Sequence, residues 1–142
     1  MFMTPIMQQY HLVKQKHKDC IVFFRLGDFY EMFYEDAQLA AEILGITLTK
    51  RTQKEEVIPM AGVPYHTCDH YIAKLVRAGQ KIAICEQVEA ADTKSAKIID
   101  RQVVRIITPG TLTDDSLLSA KRNNFLIAIQ SHGFMISCAV FD

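Results

Sequence analysis

The sequence predicts a mixed α/β domain of the α+β type, a β-sheet surrounded by helices with a further hairpin at its C-terminal end. Three observations carry that expectation. Short apolar runs such as CIVFFRL and KIAICEQ have strand length and composition. Between them lie segments with apolar residues at helical spacing. Glycine and proline punctuate the boundaries. At 142 residues the chain has room for one ordinary domain, or a domain with a piece of another.

The elements follow in order. Thr4 then Pro5 is a helix start, and Ile6, Met7, Tyr10 and Val13 recur at helical spacing through TPIMQQYHLVKQKHKD. CIVFFRL, the turn GD and FYEMF read as a β-hairpin. In its returning strand Phe29, Glu31 and Phe33 share one face, and Tyr30 and Met32 take the other. YEDAQLAAEILG then reads as a helix, with Ala37, Ala40, Ala41 and Leu44 on one side, acids in its first turn and Gly45 as its stop. ITLTKR is expected as a strand ending in a basic pair, and TQKEE as a solvent loop. In VIPMAGVPYHTCDHYIAKLVRAG the breakers Pro59, Gly62 and Pro64 predict a rigid surface loop before a helix that carries Ile72, Leu75 and Val76 and ends at Gly79. KIAICEQ is a strand, VEAADTKSAKI a polar loop, and RQVVRIITPGT a strand closed by a Pro-Gly turn. DDSLLSAKRNN is a short helix or linker, and FLIAIQSHGFMISCAVFD a second hairpin. Its free strand edge would be a pairing liability, so it reads as the opening of a further domain, cut short.

Composition narrows the function classes. Sixteen Lys and Arg balance sixteen Asp and Glu, so no global positive field draws the chain to phosphates, and a nucleic-acid role needs local basic patches. No apolar run reaches membrane-spanning length, and MFMTPIMQQY lacks the pattern of a secretion signal, which predicts a soluble, cytoplasmic protein. Cys20, Cys68, Cys85 and Cys138 are scattered and form no C-x-x-C pair, so they are expected reduced and buried as small hydrophobes.

Catalysis is not signalled, because the chain has no phosphate loop, dinucleotide fingerprint, H-E-x-x-H or nucleophile elbow. HTCDH places His66 and His70 four apart, a spacing open to a metal site or to a plain helix start capped by Thr67 or Asp69. Asp28, Glu31, Glu35 and Asp36 could be a nuclease cluster, but a turn residue and a helix N-terminus account for Asp28, Glu35 and Asp36. Lys50 with Arg51, and Arg101 with Arg105, form small basic sets, either a solvated face or phosphate contacts. The stretch FRLGDFYEMFYEDA leaves two readings open for Phe29 and Glu31. The ring is core and the acid a solvated rim residue, or the ring is presented outward beside an acid on the same face.

Taken together, TPIMQQY, FFRLGDFYEMFYEDA, LTKR, IPMAGVPYH, YIAKLVRAGQKIAICEQV and VVRIITPGT resemble, in order and spacing, the N-terminal mismatch-recognition domain of the bacterial MutS DNA mismatch-repair family. The likeness runs from about Thr4 to Asp142, and GDFYE is its most specific part. It implies a mismatch-recognition domain over residues 1–118, then a linker and the first strands of a connector domain over residues 119–142. It implies a non-catalytic DNA-binding piece of a larger homodimeric protein whose ATPase domain, with ATP and magnesium, lies outside this chain. The implied partners are duplex DNA with mismatches or small insertion loops and the repair factor MutL, in a cytoplasmic, nucleoid-associated setting. The family's F-x-E motif falls on Phe29 and Glu31, which the resemblance makes the mismatch readers. Arg51 and Arg101 fall where the family contacts the DNA backbone, and Met60 beside the groove. Where family members commonly turn at a Gly-Asp-Pro-like sequence after ICEQ, this chain reads VEAADTKSAKIIDRQ.

Overall fold

In a computed structural model, which describes residues 3–53, 56–88, 99–111 and 125–141, helix α1 spans Pro5–Lys16. Strands β1 (Cys20–Leu26) and β2 (Phe29–Phe33) follow, then α2 (Tyr34–Leu44). β3 (Thr49–Gln53) and β4 (Glu56–Pro64) lead through a short 3-10 turn to α3 (Cys68–Arg77). β5 (Lys81–Val88) and β6 (Asp100–Ile107) complete a six-stranded sheet in the order β3-β4-β2-β1-β5-β6. β1 and β5 are parallel and the other pairs antiparallel, so the sheet is mixed. β7 (Leu126–His132) and β8 (Met135–Phe141) form a separate two-stranded sheet whose residues are all exposed.

The alternation within β1 and β2 divides the core between two faces. Ile21, Phe23, Tyr30 and Met32 point toward α2 and α3, meeting Ala37, Ala40, Leu44, Ile72, Leu75 and Val76. On the other face Val22, Phe24, Phe33 and Ile58 meet Met7, Tyr10 and Val13 of α1. The Tyr10 ring stands edge-on to Phe33, with centroids 5.0 Å apart, an arrangement that favours aromatic pairs beyond the area they bury. The turn between β1 and β2 needs Gly27 at φ 58°, where a side chain would be strained. Tyr34 joins β2 directly to α2 at φ 53°, an uncommon conformation for a bulky residue.

Several expectations need correction. VIPMAGVP is not a surface loop: it lies within β4, paired with β2 on one side and β3 on the other. Its breakers are tolerated because Pro64 ends the strand and Pro59 lies beyond the last β2 pair, Phe33 with Met60, where that ladder asks for no N–H. Thr52 and Gln53, expected in a loop, belong to β3, which starts at Thr49 rather than Ile46. Cysteine burial is uneven: Cys20 and Cys85 are buried, Cys68 is intermediate and Cys138 exposed, all as free thiols. The expected polar loop after β5, the expected linker and the boundary between residues 118 and 119 fall largely or wholly outside the described residues.

Candidate nucleic-acid interface

The site is built on the β1–β2 hairpin and its neighbour β4. Antiparallel partners share a face, so Phe29, Glu31 and Phe33 stand in one row beside Pro64, Gly62 and Met60. The row continues through Thr49, the partner of Met60, and Arg51, the partner of Ile58. Helix α1 covers the Phe33 end through Tyr10. At the other end Phe29 is 44% exposed, beside an open depression of about 450 Å³ lined by Phe29, Glu31, Thr49, Met60 and Gly62 together with the α2–β3 connection. An aromatic ring at the corner of a hairpin, more exposed than any other phenylalanine of the six-stranded sheet, is a presented ring.

Glu31 lies behind it. Its carboxyl folds across the ladder onto Gly62, and Oε2 is buried with no hydrogen-bond partner, the one such side-chain atom among the described residues. A buried acceptor left unpaired costs about 1–3 kcal/mol. Burial raises the Glu31 pKa above its ordinary value, and the Arg51 charge opposes the rise. Arg51 is half-exposed on β3, so it provides the nearby positive charge on this face.

The hairpin is braced from its opposite face. Tyr30 Oη donates to Glu86 Oε1, Arg25 approaches the same carboxylate at 3.6 Å, and the Arg25 guanidinium lies 3.4 Å from the centroid of the Tyr65 ring. The Tyr65 N–H donates to the Asp28 carbonyl at 2.9 Å, which pins the turn beside Phe29.

The residues singled out in the sequence thus divide. Phe29, Glu31, Met60 and Arg51 come together. Arg101 does not join them: it lies on β6, the far edge of the sheet, and is 8% exposed. Its guanidinium donates to the carbonyls of Arg25 (2.7 Å) and Ile99 (2.9 Å) and to Gln9 Oε1 (3.1 Å), so its donors are used inside the fold. The four acids of FRLGDFYEMFYEDA do not form a cluster: Asp36 is buried against Tyr10, Lys14 and Val22. HTCDH supplies a 3-10 turn and the first turn of α3, where the His70 and Tyr71 rings lie 3.7 Å apart. No group of three or more metal-ligating side chains occurs among the described residues, and no helix there is long and apolar enough to cross a membrane. In the sequence Gly62 reads only as a breaker. Its signal was available, because a glycine inside a strand marks a close approach of another group.

The MutS domain I family description matches residues 4–116. Proteins named DNA mismatch repair protein MutS are similar over most of the chain. The one from Desulforamulus reducens is 59% identical over 131 residues, covering 91% of this chain and 15% of its own length. The one from Acetivibrio thermocellus is 56% identical over 142 residues, covering 99% of this chain and 16% of its own. The chain therefore spans about one sixth of the length of such relatives. With a match over most of its residues and this identity throughout, the chain belongs to the MutS domain I family.

Proposed function

We propose that this chain recognises mispaired or unpaired bases in duplex DNA as the non-catalytic reading domain of a mismatch-repair protein. The observation that carries it is the juxtaposition, on one uncovered stretch of sheet, of the exposed Phe29 ring and the unpaired Glu31 oxygen. Phe29 enters the base stack as a wedge. Stacking a base on an aromatic ring contributes about 1–3 kcal/mol and tolerates any base, because every base has a π-face. Kinking and unstacking the duplex costs a few kcal/mol, and less where pairing is already defective, so deformation itself favours the mispair.

Glu31 adds the second criterion. A carboxylate brought between phosphate backbones is repelled, and only a base with a free polar edge offers it compensation. Burial and the phosphate field both favour the protonated acid, which donates to a base acceptor. Arg51 and Met60 flank the entry as backbone and groove contacts. Arg101 donates inside the fold, so the proposal assigns it no DNA contact.

The family likeness extends the proposal to a homodimer that works with MutL. ATP and magnesium belong to an ATPase domain and involve no residue of this chain. Titrating matched, mismatched and single-base-insertion duplexes against a full-length protein carrying this domain tests the reading. Tighter binding to the two defective duplexes is expected. A surface that docks a protein partner would give equal affinities for all three.

A further inference from the structure

We propose that Gly62 is a specificity-determining position: the hollow left by its missing side chain seats the Glu31 carboxyl, and filling it weakens the distinction between paired and mispaired bases. The inference rests on the reading of Glu31 as a base contact and assigns the residue that holds it ready.

Glu31 and Gly62 face each other across the β2–β4 ladder. A Cβ added at Gly62 would fall 2.5 Å from Glu31 Oε2, 2.8 Å from Cδ and 2.9 Å from Oε1, well inside ordinary carbon contacts of about 3.5–4.0 Å. The carboxyl therefore occupies the space a side chain would fill. The backbone gives no other reason for glycine here. Gly27, Gly45, Gly79 and Gly133 take positive φ, and Gly62 does not. A glycine inside a strand weakens it, so at Gly62 the lost stability is matched only by the room given to the acid.

Two consequences follow for recognition. Seated in the hollow, the carboxyl is already stripped of water on its Oε2 side, so the protonated form is favoured and a base meets a neutral donor at the open side of the carboxyl. It is also confined by the opposing strand, so little side-chain freedom remains to be lost on binding. Ejected from the hollow, the same carboxyl would be hydrated and mobile, and both advantages would go. The clash falls only on the far end of a flexible side chain. Gly62→Ala is accordingly expected to leave the backbone in place, with a small gain in stability from the stiffer unfolded chain.

The test is a double-mutant cycle in a full-length protein carrying this domain, with matched and mismatched affinities at fixed salt for the unmodified protein, Gly62→Ala, Glu31→Ala and the pair. Carbon-detected NMR titration of the Glu31 carboxyl in the 142-residue chain accompanies it. Gly62→Ala should keep or raise Tm, lower the Glu31 pKa, and reduce the mismatched-to-matched affinity ratio by up to about tenfold, the upper end for one neutral hydrogen bond. In the Glu31→Ala background the Gly62 substitution should change nothing further. An unmoved titration, a lower Tm, or an equal loss without the acid would each overturn the seat. If Glu31→Ala alone leaves the ratio unchanged, the reading of the acid itself fails, and the role of Gly62 falls with it.

Discussion

Asp36 and Glu31 are carboxylates a short way apart on the same hairpin and helix, and the fold treats them in opposite ways. Asp36 is 6% exposed and accepts from Tyr10 Oη at 3.1 Å, Lys14 Nζ at 2.7 Å and the Val22 N–H at 3.0 Å. Two of the donors lie on α1 and the third on β1, so this acid ties α1, β1 and α2 together. Glu31 has a buried oxygen with no partner at all. The same division holds for the rings: Phe33 is wholly buried under Tyr10, and Phe29, on the same face of the same strand, is exposed. One end of β2 is architecture. The other holds an exposed ring and a buried acceptor with no partner among the described residues, the pairing on which the proposed interface rests.

The largest effects should come from the architectural end. Asp36→Ala removes the carboxylate from Lys14 and Tyr10, which keep only the carbonyls of Cys20 and Phe33, and should cost about 3–5 kcal/mol in chemical denaturation, the scale of a broken buried ion pair. Phe33→Ala should cost a similar amount, about 3–5 kcal/mol, by opening a cavity against α1. Phe29→Ala sharpens the contrast. It should alter stability by about 0.5 kcal/mol or less, as at ordinary surface sites, and still remove about 1–3 kcal/mol of mismatch affinity with the lost stacking. A loss of stability like that of Phe33→Ala would make Phe29 a core residue.

A smaller effect separates the two acids by pH. Burial raises the Glu31 pKa in the fold above its unfolded value, so the folded chain holds that proton to higher pH than the unfolded one. The group therefore favours folding below its unfolded pKa, and that contribution is lost as pH rises through the folded pKa. Glu31→Gln, which keeps the shape without the charge, should be more stable than the unmodified chain near neutral pH. Its advantage should shrink as pH falls through the carboxylate range. Thermal unfolding of both chains across that range checks this, and a constant difference would contradict it.

Much of this was legible in the sequence, and the failures share a cause. The run from Thr4 to Gly45 was readable because local signals agree there: Pro5 opens α1, Gly27 turns the hairpin, and Gly45, in the left-handed conformation at φ 70°, stops α2. The alternation of β2 alone places Phe29 and Glu31 on one face. β4 was misread because Pro59, Gly62 and Pro64 are local breakers, and only pairing on both sides makes a strand of them. The roles of Asp36 and Arg101 were hidden for a similar reason. Asp36 looked like an acid placed for the helix dipole, and Arg101 like a phosphate contact. Their partners, Tyr10 and Lys14 for one and Gln9 and Arg25 for the other, come from distant parts of the chain.

The central claim is that Glu31 is kept without a partner so that a defective base pair can supply one. Its most direct test is the affinity of a full-length protein carrying this domain for matched duplex at fixed salt, with and without Glu31→Ala. On matched DNA only repulsion from the phosphates acts on the acid, so its removal should tighten binding. On mismatched DNA the lost hydrogen bond, about 0.5–1.5 kcal/mol for a neutral acid, offsets that gain and affinity should barely move. The mismatched-to-matched ratio would then shrink from the matched side. Matched-duplex affinity that stays the same or weakens in Glu31→Ala would contradict the account.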